Sequence, residues 1–428
     1  MIKNRYVVEI VFLVFAFLLA NIRSFIFWSL YPPTDTISGP AWREILLWLL
    51  ALGLMMYLII KQNLITDYLR AWRQQPLLIA FIVFSFASIF WSNMWTVTLH
   101  RSLVFAFATA AAVYLGVRYS IKNFLYVLIF LGLVLMAASY VLIFATPALG
   151  TSPGFPYYGA WRGIFWHKNQ LGNIIALFNF VSLFWCFSSS IRNKPRERVA
   201  AVILYILSLI IVFYAKSVSG YILVFIIHFT FVTALSWLKL RHLMRPIHYY
   251  LILFVFFTGA AGVLLNLDFV LGLFNRTPTF TGRLPMWMIL LRDVFTQKPW
   301  LGYGFGTIWA DEKFRYYMSD LVGWPYPVLI GDNGFLDILL NLGVFGFAVF
   351  LLNYMKAWVN SFLYFQQELT LLGIYPFIFM IYTFFANLTF SLFMETEVLI
   401  WMFIVALMVI TTHKKMNFMG VAGAKEMS

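Results

Sequence analysis

Apolar residues in this chain come in long runs separated by short polar stretches. Each run is close to the roughly 17–25 residues that an α-helix needs to cross a hydrocarbon core. The runs fall at 7–27, 43–60, 76–92, 101–117, 123–146, 171–189, 199–214, 219–238, 248–267, 334–355, 370–390 and 396–412. This pattern predicts an all-α polytopic membrane protein of about 12 transmembrane helices. The first run is too long, and lacks the small-residue cleavage site, for a removable signal peptide, so it reads as a retained helix.

Composition supports the same reading. The chain of 428 residues is 63% apolar and 11% charged, with a mean hydropathy of +0.86. An ordinary soluble domain is about 45–50% apolar and about 25% charged. A chain this poor in charge cannot cover its surface in water, whereas in lipid a helix satisfies its own backbone and needs only an apolar exterior. Residues 1–428 carry no fixed-period repeat, no low-complexity tract and no stretch able to form a separate soluble unit, so they read as a single membrane domain.

Charge sets the expected direction. With the amino terminus inside, 18 of the 30 Lys and Arg residues fall on the cytoplasmic side. The dense loops RNKPRER (192–198) and KLRHLMR (239–245) dominate that excess, as the positive-inside rule requires. Both termini are therefore expected in the cytoplasm, and the net charge of +14 is mostly a topology signal that gives no reason to invoke nucleic acid. Cys186 is the only cysteine, which excludes an intramolecular disulfide and a cysteine-based metal site.

The informative polar sequence lies on the other side. Residues 268–333 form the largest extracytoplasmic loop, and its middle, TGRLPMWMILLRDVFTQKPWLGYGFG, reads as a short amphipathic helix. Thr281 is its expected N-cap, Pro285 sits in its first turn, and Lys298-Pro299 ends it. Its apolar face is expected to rest on the membrane domain, with Arg283 at its start and Arg292 further along. Gly302, Gly304 and Gly306 would allow close backbone approach, either to an anion or simply in a tight turn.

A second loop, 147–170, ends in WRGIFWHKNQLGN at 161–173. Trp161, Arg162, Trp166, His167, Lys168 and Asn169 crowd the mouth of the sixth span. Aromatic and basic residues at such a mouth ordinarily form an interfacial belt or reach to headgroups. That account does not explain a dense basic cluster on the translocated side. Arg162, Lys168, Arg276, Arg283 and Arg292 together suggest an anionic ligand, most simply a phosphate or diphosphate.

Acidic residues share that side. Asp332 and Asn333 precede the tenth span in GDNGFLDILLNLGVFG, Asp337 lies one turn inside, and Glu395 and Glu397 occupy the turn between the last two spans. Each could cap a helix or complement its dipole. One carboxylate could instead take a proton from an acceptor hydroxyl while arginines hold a diphosphate leaving group. Those parts suit glycosyl transfer from a lipid-linked donor, with guanidinium groups supplying the charge stabilisation without a metal or other cofactor.

The order of WRGIFWHKNQLGN, then TGR with a tryptophan-bearing helix and PWLGYGFG, then DNGFLDILLNLGVFG resembles the O-antigen ligase and polymerase superfamily. Within it the likeness is greatest to exopolysaccharide polymerases of the succinoglycan type, over about residues 80–410. The resemblance implies a C-type glycosyltransferase-like fold and an inverting enzyme in the bacterial plasma (inner) membrane. The implied donor is an undecaprenyl-diphosphate-linked glycan, used at the periplasmic or outer face, and the acceptor is a second glycan or a lipid A core.

Carried onto this chain, the resemblance makes Arg162 and Arg283 diphosphate ligands and the position before Asn333 the candidate base. Many members have His-Asn there, whereas this chain has Asp332-Asn333. Arginines beside Asp332 are expected to favour its charged form and weaken it as a proton acceptor. Asp332 would then orient the acceptor while Glu395, Glu397 or His167 takes the proton, with Lys168, Asn169 and Arg292 among the other substrate-binding residues. The motifs favour a polymerase, and a ligase remains open because both use the same donor. A lipid-linked oligosaccharide transporter is the reading from another class, but transporters place ionisable groups near the bilayer midplane. Here the spans carry few charges, with Glu9 and Arg23 towards the ends of the first and Lys216 at an edge.

Overall fold

The computed structural model describes residues 2–20, 42–154, 157–188, 194–243, 283–325, 327–393 and 398–426. Among these residues the architecture is helical, apart from one isolated antiparallel bridge between Thr151 and Trp161. In chain order the helices are α1 (Ile2–Ala20), α2 (Trp42–Lys61), α3 (Ile65–Arg73), α4 (Pro76–Ala87), α5 (Trp95–Arg118), α6 (Ile121–Ala145), the single turn α7 (Pro147–Gly150), α8 (Lys168–Phe187), α9 (Pro195–Ala215) and α10 (Val218–Leu240). After the undescribed stretch come α11 (Arg283–Ile289), α12 (Glu312–Val322), α13 (Gly334–Gln367), α14 (Leu371–Thr389) and α15 (Leu399–Glu426).

Among the described residues, eight helices are long and apolar enough to cross a membrane, namely α2, α5, α6, α8, α9, α10, α13 and α14. The pair α3 and α4, bent by 78°, makes a possible ninth, and the apolar stretches Val7–Ala20 and Leu399–Thr412 are shorter. The expected span at 248–267 lies outside the described residues. The chain is thus a multi-pass helical membrane protein.

Local chemistry places the helix ends. Pro76 and Pro195 open α4 and α9, where the missing N–H costs nothing. Ser120, Ser217 and Thr370 cap α6, α10 and α14 by accepting backbone N–H groups three residues on. Helix α3 is amphipathic: Ile65, Tyr68, Leu69 and Trp72 fall on one face, opposite Asp67 and Arg70. It therefore lies across the direction of α4 and does not extend it.

Helix α8 is the most enclosed of the eight long apolar helices, packed against α6, α9, α10 and α14, while α15 packs on α5 and α13. The carboxylates of α1 and α2 are partnered inside the bundle. Glu9 of α1 accepts from Arg118 Nε at 2.8 Å and from Tyr119 Oη at 2.5 Å. Glu44 of α2 stands 3.5 Å from His100 Nε2, both buried. A lone carboxylate in lipid is costly, and pairing removes most of that cost.

The expected helix after residue 281 is present, starting at Arg283, but it changes pitch. Five residues of π-helix (Leu290–Val294) and a 3-10 turn (Phe295–Gln297) follow α11. Thr281 falls outside the described residues. Met286, Leu290 and Val294 form a second core with Ile308, Trp309, Met318 and Val328 of the same loop and with Leu336 and Leu340 of α13. The apolar face therefore rests partly on the loop's own residues, including α12, and partly on the first turns of α13.

Helix α13 is broken at Gly343, whose φ of 64° and ψ of −170° are open to glycine and closed to most other residues. The break orphans the carbonyls of Leu340 and Asn341 and the N–H groups of Val344 and Phe345. The segment 299–304 supplies all four partners. Tyr303 and Gly304 N–H donate to the two carbonyls at 3.1 and 2.8 Å, and Pro299 and Trp300 carbonyls accept from Val344 and Phe345 at 2.8 and 3.2 Å. An unmade buried hydrogen bond costs about 1–3 kcal/mol, so the break persists only because this strand-like segment lies in it. Gly302 has no room for a side chain beside Asn341, nor has Gly306 beside Arg101. The close approach expected at these glycines is made to the protein itself, with the N–H groups of Tyr303 and Gly304 already engaged.

Candidate functional site

The break in α13 holds the loop against the bundle, and the residues before α13 meet the start of α11. Asn333 is the cap of α13, accepting from Phe335 and Leu336 N–H at 3.1 Å each. That leaves the Asp332 side chain for another partner. Asp332 adopts a left-handed backbone (φ 51°), a conformation that Asp tolerates better than most side chains. Its carboxylate accepts from Arg283 Nε at 2.9 Å, and both side chains are largely buried. Arg283 Nη1 donates to the Thr389 carbonyl at 2.9 Å, which ties α11 to the end of α14. One turn on, Trp287 Nε1 donates to the Gly331 carbonyl at 2.7 Å.

The mouth of α8 completes the cluster. His167 caps α8: its Nδ1 accepts from Asn169 N–H at 3.2 Å, and Gln170 Oε1 accepts from the His167 N–H at 3.2 Å. Accepting through Nδ1 fixes the neutral tautomer with the proton on Nε2. Burial, followed by the positive charges of Lys168, Arg283 and Arg162, pushes the His167 pKa down to about 3. The imidazole is therefore neutral near pH 7 and presents an N–H donor, not a proton acceptor.

The basic neighbours are anchored differently. Arg162 Nε donates to the Leu149 carbonyl at 2.9 Å and Nη2 to the Ala148 carbonyl at 3.5 Å, where they cap α7. Lys168 Nζ donates to the Lys216 carbonyl at 2.6 Å and lies 4.6 Å from the Tyr157 ring centroid. Trp161 stacks on Tyr214 with centroids 4.6 Å apart, which fixes the strand leading to Arg162.

Arg162, His167, Lys168, Arg283 and Asp332 thus share one electrostatic environment, with Asn169 and Asn333 beside them as parts of the helix caps. Burial raises the Asp332 carboxyl above the usual carboxylate range, and the Arg283 guanidinium opposes that rise without cancelling it. The expectation that arginines would hold Asp332 firmly charged is reversed, because desolvation outweighs the ion pair. Arg292 is not brought to the cluster: nine residues past Arg283, it emerges on the opposite side of the helix, 88% exposed and 3.6 Å from Asp293. Arg276, Glu395 and Glu397 lie outside the described residues.

A second polar network sits directly beneath. Asp337, 1% exposed, accepts from Trp309 Nε1 at 2.7 Å and from Ser391 Oγ. Asn387 Oδ1 accepts from Leu392 N–H at 2.9 Å, and a side chain at Gly334 would collide with it. Asn341 Nδ2 donates to the Asp337 carbonyl at 2.7 Å. The signal was present in the sequence as Asn333, Asp337 and Asn341, polar residues at intervals of four in an apolar helix. Ser391 and Asn387 carried no comparable signal.

Residues 203–351, roughly a third of the chain, match the family described as O-Antigen ligase. The matched region runs from α9 through the broken helix α13 and includes Arg283, Asp332 and Asn333. This match supports the O-antigen ligase and polymerase superfamily, to which the motif order also points. No curated protein matches the chain.

Proposed function

With the O-antigen ligase match as premise, we propose that this chain is a membrane glycosyltransferase that polymerises undecaprenyl-diphosphate-linked repeat units, working at the periplasmic or outer face of the bacterial plasma membrane. The observation that carries the reading is the Arg283–Asp332 pair beside a neutral His167 and the cations Arg162 and Lys168. In this reading the acceptor hydroxyl oxygen attacks the anomeric carbon of the donor glycan. The bond from that carbon to the diphosphate oxygen breaks, and undecaprenyl diphosphate leaves with the electron pair. Asp332 takes the hydroxyl proton, which its burial-raised pKa favours. The guanidinium groups of Arg283 and Arg162, with Lys168, hold the charge that develops on the leaving group, and His167 Nε2–H donates to it. Attack opposite the leaving group inverts the anomeric centre.

Glu395 and Glu397, which precede α15 in the sequence, remain proposed contributors to acceptor binding, and Asn169 and Asn333 border the same site. Arg292 is proposed to meet substrate only at its exposed margin. The O-antigen ligase match supports a second reading, in which the acceptor is a lipid A core and the enzyme a ligase. The deciding experiment gives purified protein undecaprenyl-diphosphate repeat units with and without lipid A core. A ladder of lengthening glycans supports the polymerase, and product only with the core supports the ligase. No glycosidic product in either case sinks the transferase reading.

A further inference from the structure

A cavity of about 290 Å³ opens beside the second core, whose Val294 and Ile308 line it, and neither Arg283 nor Asp332 is in its wall. Four segments line it: Asn93 and Met94 before α5, Asp293, Val294 and Gln297 after α11, Tyr303, Thr307 and Ile308 in and after the glycine-rich segment, and Asp311, Phe314 and Tyr317 at the start of α12. None of these residues takes part in the proposed reaction. The volume is at the low end of the roughly 300–1,000 Å³ usual for small-molecule sites.

The lining selects a chemical class. Asp293 and Asp311 stand in the wall, so a phosphate or other anion is repelled. Gln297 and Thr307 are already engaged with backbone carbonyls and Asp311 Oδ1 caps α12, but an acyl chain would still strip water from the carboxylates of Asp293 and Asp311 and from the Asn93 amide without replacing it, an unfavourable exchange. A ring bearing several hydroxyls can donate to carboxylates and exchange hydrogen bonds with amides, and it can lay its C–H face on Phe314 or Tyr317. Tyr317 is 53% exposed, so its ring is open to a ligand. The site is also built to hold its shape. Tyr303 Oη donates to the Val294 carbonyl at 2.9 Å, Gln297 Nε2 to the Asp293 carbonyl at 2.6 Å, and Asp311 Oδ1 caps α12.

We infer that this cavity is a subsite for an uncharged sugar of the glycan chain, held away from the diphosphate. Arg283 opens the helical run and Val294, in the cavity wall, ends its π-helical part, so the two lie several turns apart, on the order of the reach of a short oligosaccharide. A subsite there holds a sugar several residues from the bond being made. The identity of the ligand rests on the glycosyl-transfer reading above.

The test uses the full chain in nanodiscs, with calorimetric titration of the lipid-free oligosaccharide released by mild acid from the host's own lipid-linked repeat units. The unaltered protein is expected to bind it, and Tyr317→Ala to weaken binding about tenfold. Asn93→Ala, on an exposed loop, is expected to weaken it by a smaller factor, with the thermal midpoint retained in both variants. If Tyr317→Ala fails to fold, Asn93→Ala alone decides. The inference is overturned if the unaltered protein does not bind the oligosaccharide, if both folded variants bind it as well as the unaltered protein, or if inorganic diphosphate displaces it. Weakened binding in the variants with no glycosidic product from the unaltered protein keeps the subsite and removes the proposed function. A normal glycan ladder with binding unchanged in the variants removes the subsite alone.

Discussion

Two helix mouths meet in the candidate site, and they use their polar residues in opposite ways. At α8 the cap and the cations are held by the backbone: His167 by Asn169 N–H, Arg162 by the carbonyls of α7, and Lys168 by the Lys216 carbonyl. At α13 the cap is a separate residue, Asn333, and the neighbouring Asp332 reaches across to a charged side chain, Arg283. The first mouth is a fixed positive frame. The second carries the one described carboxylate of the cluster, on a left-handed backbone that aims it away from its own helix. The two mouths use their basic residues differently: one set builds the frame and Arg283 partners a group able to accept a proton.

Variants that empty one side of this pairing should separate the two mouths. Arg283→Ala leaves a buried carboxylate unpaired and removes a charge donor, so turnover should fall by about 10³-fold or more while membrane insertion is retained. Arg162→Ala should cost less, about 10²-fold, because part of Arg162 caps α7 and the remaining cations still surround His167. Comparable, near-normal turnover in both variants would remove the diphosphate assignment from both mouths.

The pH profile sharpens the contrast. Asp332 must be deprotonated to act as a base, and burial raises its pKa. As pH falls through that raised value the base becomes protonated and kcat/KM should drop, with the inflection above the usual carboxylate position. His167, pushed down to about 3, should contribute no inflection near neutrality. An inflection near pH 6–7 that persists in Asp332→Asn and disappears in His167→Gln would transfer the base role to the first mouth.

Gly343→Ala tests the support beneath the second mouth. A side chain there meets a forbidden φ and the backbone of Trp300, so the thermal midpoint should fall and turnover with it. A backbone mismatch of this kind costs on the order of 1–2 kcal/mol before any clash is counted. Arg292→Ala should do least, since the side chain is 88% exposed on the opposite side of the helix from Arg283. Its turnover should stay within about twofold, as for surface substitutions generally.

Much of this was legible in the residue pattern. Eight of the twelve apolar runs coincide with helices long enough to cross a membrane, Pro285 and Arg283 marked the start of the loop helix, and the WHKN and GDN motifs supplied the residues that the structure brings together. Three features were not legible, each because it depends on contacts distant in sequence. The π-helical turn at Leu290–Val294 has no local signal, and its buried residues pack with Met286 against Trp309 and Met318, which lie further along the chain. The break at Gly343 sits in an apolar run that reads as one span, and only the backbone of residues 299–304 makes it stable. Burial of Asp332 likewise comes from tertiary packing, which is why neighbouring charge alone gave the wrong direction for its pKa.

The central claim is that Asp332 takes the proton while the cations hold the donor diphosphate. Its most direct test is Asp332→Asn in proteoliposomes, with binding of undecaprenyl-diphosphate repeat units and single-turnover transfer measured on the same preparation. The account predicts donor binding within about threefold of the unaltered protein and transfer slowed by about 10²–10⁴-fold, the usual contribution of a general base. Transfer at the unaltered rate, with donor binding intact, would return Asp332 to a structural partner of Arg283 and contradict the account.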